Sequence, residues 1–346
     1  MPTCFASRLR RVLPRTVAGL LLAGLAWAVP AVAQAKAAFD YYLSGSAADV
    51  VLPRPSTPMT VLMGGGPDVD AAFVAMIRKA GGGDFVVLRA SGADGYNAYL
   101  LAMGGLDSVE TLVVRTREAA ADAYVIDRVA RAEAIFIAGG DQADYVEQWK
   151  GTPLHAALQA AVAAQVPVGG TSAGLAVLGQ FDFAALNGTV TSDEALKDPY
   201  QRRMTLDRGF LVGAGLGGVI ADAHLDTRDR MGRLLAFVAR LVQDGWVGTE
   251  AARAIGVDVE TALVVDDGVG TRLGVGAVYF VRPSIAPTVC QPKQPLTFRN
   301  VLVDRLSGDG GFVLDRWSAR AGATTRYDLS AEAGVLLSSQ PGGAIY

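Results

Sequence analysis

The stretch VPVGGTSAGL at residues 166–175 decides the fold, because an apolar run ends there in a serine flanked by glycines. A short strand, a tight turn of small residues and a helix starting near Leu175 follow one another without a linker. In α/β proteins the serine of a G-x-S-x-G sequence lies in such a turn, above the sheet. Ser172 is therefore a candidate nucleophile. The alternative is a glycine-rich turn whose serine only caps the helix.

The same alternation of strand and helix continues on both sides of this turn. Apolar strands are predicted at residues 60–63, 85–88, 111–115, 134–138 and 166–169, and helical patterns separate them. Such alternation indicates βαβ units. We predict an α/β fold with a doubly wound, mainly parallel sheet, in which ligands bind beyond the carboxyl ends of the strands. After Leu263 the pattern predicts extra C-terminal β-strands that extend or flank this sheet.

The chain divides into four segments. Residues 1–33 combine four arginines with an apolar run and end in Ala31-Val32-Ala33, which is the layout of a cleaved signal peptide. An uncleaved membrane anchor is the alternative, but the apolar run is shorter than the roughly 20 residues that a bilayer span needs. Residues 34–56 are predicted to wrap the surface, 57–265 to form the catalytic α/β domain, and 266–346 to form its β-rich C-terminal extension.

Composition narrows the classes of partner. The formal charge is −3, and removal of the four arginines of the signal segment leaves about −7. A mildly acidic surface argues against a nucleic-acid binder, which would carry a basic stripe. We expect a secreted or periplasmic bacterial protein that is not membrane-bound after signal cleavage. The sequence leaves the oligomeric state open, and a homodimer is compatible with it.

Few metal-binding or redox side chains remain outside the signal segment. Cys290 is the one cysteine there, and His155 and His224 are the two histidines, so the sequence predicts neither an internal disulfide nor a metal site. The glycines at 64–66 do not form a nucleotide-binding loop, because no G-x-G-x-x-G follows and the P-loop lysine is missing. We therefore expect no cofactor.

A serine hydroxyl needs a base to act as a nucleophile near neutral pH. His155 lies in a predicted helix and is most simply a half-exposed helix residue. His224 ends the run at residues 217–224, at the carboxyl end of a predicted strand, where a doubly wound sheet keeps its chemistry. His224 is therefore the preferred base.

The turns beside the serine also offer donors for an oxyanion. The backbone N–H of Ala173 lies at the start of the following helix. Gly140 follows the strand at 134–138, and a glycine there lets its N–H approach a ligand closely. Gln142, two residues later, is a candidate substrate contact. The alternative is an ordinary turn that ends the strand.

Three arginines follow His224. A helix predicted from about 225 to 242 places Arg228 and Arg230 on opposite flanks of its apolar stripe, so that one of them can lean over the site and bind an anion. Arg233 falls on the back of the helix, where a solvated face is the simpler interpretation. The same alternative is open for the other two.

An imidazole base is usually oriented by a carboxylate. Asp258 and Glu260 lie in a strand-like segment at 254–263, where they face the same side of the chain. One of them would point at His224; the alternative is that both face solvent on an edge strand. Glu194 is a further candidate acid, or else a capping residue at a helix start.

These residues together resemble the cyanophycinase family of serine peptidases. The matching sequences are Gly139-Gly140-Asp141-Gln142, Gly170-Thr171-Ser172-Ala173-Gly174, Asp222-Ala223-His224 with Arg228, Arg230 and Arg233, and Gly256-Val257-Asp258 with Thr261-Ala262. The resemblance implies a flavodoxin-like, class I glutamine-amidotransferase-like fold, related to α-aspartyl dipeptidase. It also implies a Ser-His-Glu triad that cleaves β-linked aspartyl peptide bonds, typically in cyanophycin. Gln142, Asp222 and the three arginines would then line the substrate groove.

Two positions depart from the family pattern. Ala223 stands where the family has glutamine, and Val259 stands where the family has the triad glutamate. The acid therefore stays open between Glu260, Asp258 and Glu194, with Glu260 preferred because its side chain is long. The resulting prediction is an exported serine peptidase with a peptide or cyanophycin-like substrate. The alternatives are a non-catalytic exported binding protein on the same fold and an esterase-like serine hydrolase.

Overall fold

The computed structural model describes residues 38–55, 57–320, 322 and 324–346. The predicted signal peptide at 1–33 lies outside the described residues. From the start of that description to Tyr346 the chain forms one folded unit. Within it, no helix has both the length and the apolar character needed to cross a membrane.

The helices and strands alternate in the first half, and strands dominate the second. The helices are α1 (Asp70–Ala80), α2 (Asn97–Ala102), α3 (Ala123–Arg131), α4 (Gln142–Trp149), α5 (Pro153–Ala163), α6 (Ala173–Ala176), α7 (Ser192–Lys197) and α8 (Met231–Gln243). The strands are β1 (Asp40–Gly45), β2 (Met59–Met63), β3 (Asp84–Arg89), β4 (Ser108–Val113), β5 (Ala134–Ile137), β6 (Val168–Thr171), β7 (Phe181–Phe183), β8 (Leu206–Arg208), β9 (Val219–Asp222), β10 (Arg253–Val257), β11 (Thr261–Asp266), β12 (Val269–Gly274), β13 (Val278–Pro283), β14 (Phe298–Leu306), β15 (Gly311–Val313), β16 (Ser318–Ala319), β17 (Thr324–Glu332) and β18 (Val335–Ser338).

The strands of the described chain form two sheets. The first has the order β1-β4-β3-β5-β6-β2-β11-β12-β15-β16, and its block β4-β3-β5-β6-β2 is parallel. The second has the order β18-β17-β14-β13-β10-β9-β7-β8, and in it β9 runs parallel to both β10 and β7. The predicted α/β class, with a parallel sheet and extra C-terminal strands, is confirmed. The added strands divide between the two sheets: β12, β15 and β16 extend the first, and β13, β14, β17 and β18 belong to the second.

The strands of the parallel block are almost entirely buried because helices cover both of its faces. In β3, Phe85 and Val87 pack in the core cluster that contains Phe73 of α1, whereas Val86 and Leu88 pack in the cluster that contains Val125 of α3. Successive side chains of a strand point to opposite faces, so a strand buried on both faces reads as a continuous apolar run.

Two local predictions are wrong, and both errors lie near the site. The helix predicted from 225 begins only at Met231, because residues 223–229 form turns. The segment at 254–263 is not one strand: β10 belongs to the second sheet and β11 to the first, and residues 258–260 cross between them. Asp258 and Glu260 therefore do not share one face of an extended chain.

Candidate active site

Ser172 lies between β6 and the short helix α6. Its φ of 54° and ψ of −111° are unusual for a residue with a side chain. Two glycines allow this turn, because a Cβ at Gly170 would meet the backbone of Gly174 at 2.5 Å, and one at Gly174 would meet the carbonyl oxygen of Ile137 at 2.0 Å. Tight packing thus holds the serine in a conformation of the kind that clusters at functional sites.

His224 follows β9, and its Nε2 lies 2.8 Å from Oγ of Ser172. The backbone N–H of His224 donates to the carbonyl oxygen of Gly64 at 2.8 Å, and its φ is 50°. The serine follows a strand of the first sheet and the histidine follows a strand of the second, so the pair joins the two sheets. This distance suits transfer of the serine proton to the imidazole.

His155 lies apart from this pair. Its Nδ1 accepts from the N–H of Gly151 at 3.1 Å, and its Nε2 bonds the carbonyl oxygen of Phe210. The side chain is buried, so the expectation of a half-exposed helix residue is wrong. Its two nitrogens serve the local structure.

Gly65 is a site residue that the sequence analysis missed. Its φ is +89°, and a Cβ at this position would lie 2.4 Å from Cε1 and 2.5 Å from Nε2 of His224. The backbone of Gly65 therefore forms the surface on which the imidazole rests. The sequence signal for this role is the run of three glycines that ends a strand of the parallel block. Only a residue without a side chain fits against the ring.

None of the three candidate acids contacts the imidazole. Among the described residues, no carboxylate forms a hydrogen bond or ion pair with His224. The carboxylate of Glu194 accepts from the N–H of Thr191 in a capping box and pairs with Arg203. This is the capping role that the sequence offered as the alternative.

The other two acids lie in the crossing between the sheets. Oδ2 of Asp258 accepts from the N–H of Ala277 at 2.9 Å, and burial raises the pKa of this carboxyl to about 6. Glu260 has a φ of 51°, and its N–H donates to the carbonyl oxygen of Gly65 at 2.9 Å. Its half-buried carboxylate makes no described hydrogen bond. Of the three candidates, Glu260 alone has a carboxylate that is not already engaged.

Of the residues predicted to bind substrate, Arg233 alone does not line the cleft; the others are Gln142, Asp222, Arg228 and Arg230. Arg233 donates from Nε and Nη2 to the two carboxylate oxygens of Asp222, at 2.7 and 2.6 Å, and both side chains are buried. The solvated face expected for Arg233 is therefore wrong. Arg230 lies 3.6 Å from Asp222 and donates to the carbonyl oxygen of Ala223 at 2.8 Å. This cluster braces the turn that carries the histidine.

The cleft has two lobes that share Ser172 and Arg228. The Arg230 lobe, of about 310 Å³, is lined by Gly140, Asp141, Gln142, Ser172, Ala173, Ala176, Ala185, Gly188, Thr189, Asp222, Ala223, Arg228 and Arg230. The Asp68 lobe, of about 330 Å³, is lined by Gly65, Gly66, Asp68, Arg89, Tyr96, Ala138, Gly139, Thr171, Ser172, His224 and Arg228. The nucleophile thus stands between two half-sites.

The predicted oxyanion donors and Gln142 are found in the Arg230 lobe. Ala173 is the first residue of α6, and Gly140 lies three residues beyond β5, so both stand beside the serine. The side-chain amide of Gln142 donates to the carbonyl oxygen of Phe183 at 3.2 Å, which fixes its orientation at the lobe. An acyl group attacked by Ser172 would place its oxygen on this side.

The imidazole has an unusually low affinity for protons. Burial lowers the pKa of His224 to about 4, and the positive charges of Arg228 and Arg230 add to the effect. A base acts in its neutral form, so it is ready for proton transfer at any pH above this value.

We predict an acid limb of the kcat/KM profile near pH 4, in place of the value near 6.5 of an ordinary histidine. Removing a neighbouring cation favours the protonated imidazole, so Arg228→Gln should move this limb to higher pH. The measurement is kcat/KM between pH 3 and 9 for both proteins. A limb near 6.5 in the wild type, or a limb that Arg228→Gln leaves in place, would contradict the assignment of the base.

Part of the chain is similar in sequence to known peptidases. Residues 94–201, which include Ser172, match Peptidase family S51. The cyanophycinase of Trichormus variabilis is 30% identical over 212 residues, which cover 59% of this chain and 64% of the relative. Over these residues the chain is therefore similar to cyanophycinase-type peptidases of family S51. A cyanophycinase of Synechococcus elongatus is 29% identical over 184 residues, covering 52% of the chain and 51% of the relative.

The chain spans less than two thirds of the length of these curated relatives. Among solved structures, a peptidase from an acI-B1 actinobacterium aligns with a TM-score of 0.45 and 18% identity, over 64% of this chain and 90% of that one. The S51 match ends before His224, so the pairing of the histidine with the serine comes from the structure of this chain.

Proposed function

We propose that this protein is an exported serine peptidase of cyanophycinase type, in family S51, which hydrolyses β-aspartyl peptide bonds. The observation that carries the proposal is the 2.8 Å contact between Oγ of Ser172 and Nε2 of His224, in a strained turn between a strand and a helix. The curated relatives named cyanophycinase support the substrate class. The four arginines of residues 1–33 and the apolar run that follows them support export, because this is the layout of a signal peptide.

The reaction follows from the placement of these groups. Ser172 attacks the carbonyl carbon and passes its proton to Nε2 of His224, while the N–H groups of Ala173 and Gly140 stabilise the oxyanion. The C–N bond breaks, and the imidazolium gives the proton to the leaving amine. Water then attacks the acyl-serine, with the imidazole as base, and releases the acid. A substrate carboxylate next to the scissile bond would bind Arg228 or Arg230 in the Arg230 lobe.

Glu260 is the acid that we assign to the triad. Its N–H is held by the carbonyl of Gly65, the residue against which the imidazole rests, and its carboxylate is unengaged. A turn of its side chain toward Nδ1 in the substrate complex would fix the tautomer and stabilise the imidazolium. Catalytic hydrogen bonds often form only in that complex.

A second candidate function is supported by the lack of a carboxylate partner for the imidazole of His224. An imidazole without a carboxylate partner, with its pKa lowered to about 4, is also what a non-catalytic binding protein on this fold would show. Such a protein would retain the cleft and bind peptides without cleaving them. Turnover separates the two candidates.

The test is incubation of the protein lacking residues 1–33 with cyanophycin and with matched β-linked and α-linked aspartyl peptides. We expect cleavage of β-linked substrates, none with Ser172→Ala, and labelling of Ser172 by a fluorophosphonate that His224→Ala abolishes. Cleavage of α-linked peptides alone would refute the β-aspartyl assignment. Peptide binding without cleavage or labelling would favour the binding protein. Export is tested separately, by expression of the full chain in a bacterium and localisation of the processed product.

A further inference from the structure

The two lobes of the cleft are placed to hold different parts of the substrate. His224 lines the Asp68 lobe, whereas both oxyanion donors line the Arg230 lobe. Because the imidazolium returns its proton to the leaving amine, that amine must depart on the side of the imidazole. The Asp68 lobe is therefore the half-site for the leaving group.

Asp68 is an unpaired charge in this half-site. It is the one carboxylate among the described residues that line the lobe. Oη of Tyr96 donates a hydrogen bond to it at 3.3 Å. It is half-buried and forms no ion pair in the described chain. Burial raises the pKa of the Asp68 carboxyl, and the nearby charge of Asp70 adds to the effect. Both effects are those of a carboxylate without a counter-ion.

The surroundings hold Asp68 in place, and neither arginine that lines the lobe, Arg89 or Arg228, forms an ion pair with it. Tyr96 packs edge-on against Phe73 and Phe136, which fixes its ring, and its hydroxyl is directed to Asp68. Arg89 also lines the lobe, but its Nε and Nη1 donate to the carbonyl oxygens of its own loop, at Ser91 and Ala93. The guanidinium is thereby held away from an ion pair with Asp68.

We propose that Asp68, positioned by Tyr96, is a specificity-determining residue that selects leaving amines carrying a positive charge. The inference rests on the proposed function and adds which lobe binds the leaving amine and which charge that amine carries. A cationic side chain entering the lobe meets a partly desolvated carboxylate, and such charge-assisted contacts are among the stronger hydrogen bonds in proteins. Arg228 and Arg230, which line the other lobe, would bind an anionic group of the acyl side.

The test compares Asp68→Asn with Asp70→Asn. Asp70 carries the same charge nearby, but it is exposed, bonds Tyr99 and does not line either lobe. We measure kcat/KM for β-aspartyl peptides with lysine or arginine as the leaving residue and for those with leucine or glutamine. For Asp68→Asn we expect a loss of about tenfold with the cationic peptides and little change with the neutral ones. Asp70→Asn should change neither.

Measurements of peptide binding test this inference independently of the proposed peptidase activity. The affinity of Ser172→Ala for the lysine and leucine peptides is measured by calorimetry, with and without Asp68→Asn. If Ser172→Ala binds the lysine peptide more tightly and Asp68→Asn removes this preference, the role of Asp68 is supported. This holds even if the wild type cleaves none of the peptides, because the lack of cleavage would refute only the proposed peptidase activity. Equal affinities in Ser172→Ala, or equal losses for both peptides on adding Asp68→Asn, would overturn the role of Asp68.

Discussion

Replacing Gly65 by alanine is expected to lower kcat about 10³-fold while the protein stays folded. The new Cβ would lie 2.4 Å from Cε1 of His224, far inside contact distance, so one of the two groups must move. The backbone of Gly65 is tied down by its hydrogen bond from Glu260, whereas the imidazole can rotate about its side-chain bonds. The ring would therefore leave Oγ of Ser172, and the proton relay would be broken.

Gly81→Ala is the matched control for this experiment. Gly81 also has a positive φ, of +78°, but a Cβ there would meet nothing within 4 Å. Both variants thus suffer the backbone strain of a side chain in the left-handed region, about 1–2 kcal/mol, and only Gly65→Ala displaces the imidazole. The measurements are kcat and the thermal unfolding midpoint. Equal activities of the two variants, at similar unfolding midpoints, would show that the position of the imidazole is not limiting.

The sequence predicts well what depends on local pattern. The G-x-S-x-G turn is recognisable because its glycines, its strand and its helix are contiguous, and the structure has Ser172 in that turn. His224 could be chosen because it follows an apolar run, and strand ends collect chemistry in this fold class. Both conclusions need only a few neighbouring residues.

The acid could not be located in this way, because its position depends on how two sheets meet. Residues 254–263 alternate like one strand, yet the chain leaves the second sheet after Val257 and enters the first at Thr261. A one-residue change in such a crossing alters the direction of every side chain in it. The periodicity of a sequence does not show where the chain passes from one sheet to another. For the same reason, the contact between Gly65 and His224 could not be predicted from local pattern.

Arg233 shows a second limit of pattern reasoning. A charged residue on the back of an apolar helical stripe is usually solvated. Here the second sheet and the loop around Thr189 cover that side of α8, and Asp222 supplies the counter-charge. Burial of a charge is tolerated only where a partner is present, and that partner lies on another element.

The second large effect is expected in stability. Asp222→Asn should reduce the free energy of unfolding by about 3–5 kcal/mol, because the buried guanidinium of Arg233 would lose its anionic partner. Removing both charges, in Asp222→Asn with Arg233→Met, should cost less than the sum of the two single changes, since no unpaired charge remains. The measurement is urea unfolding at pH 7 of the wild type, the two single variants and the double variant.

The exposed pair of Asp193 and Lys197 provides the control for this cycle. Its partners are also one carboxylate and one cation, 2.7 Å apart, but both side chains are about two-thirds exposed. Water already solvates these charges, so Asp193→Asn should leave the urea midpoint nearly unchanged. If Asp222→Asn were as mild as Asp193→Asn, solvent or another group would have to reach Arg233. The turn that carries His224 would then depend on other contacts, such as the N–H bond from His224 to Gly64.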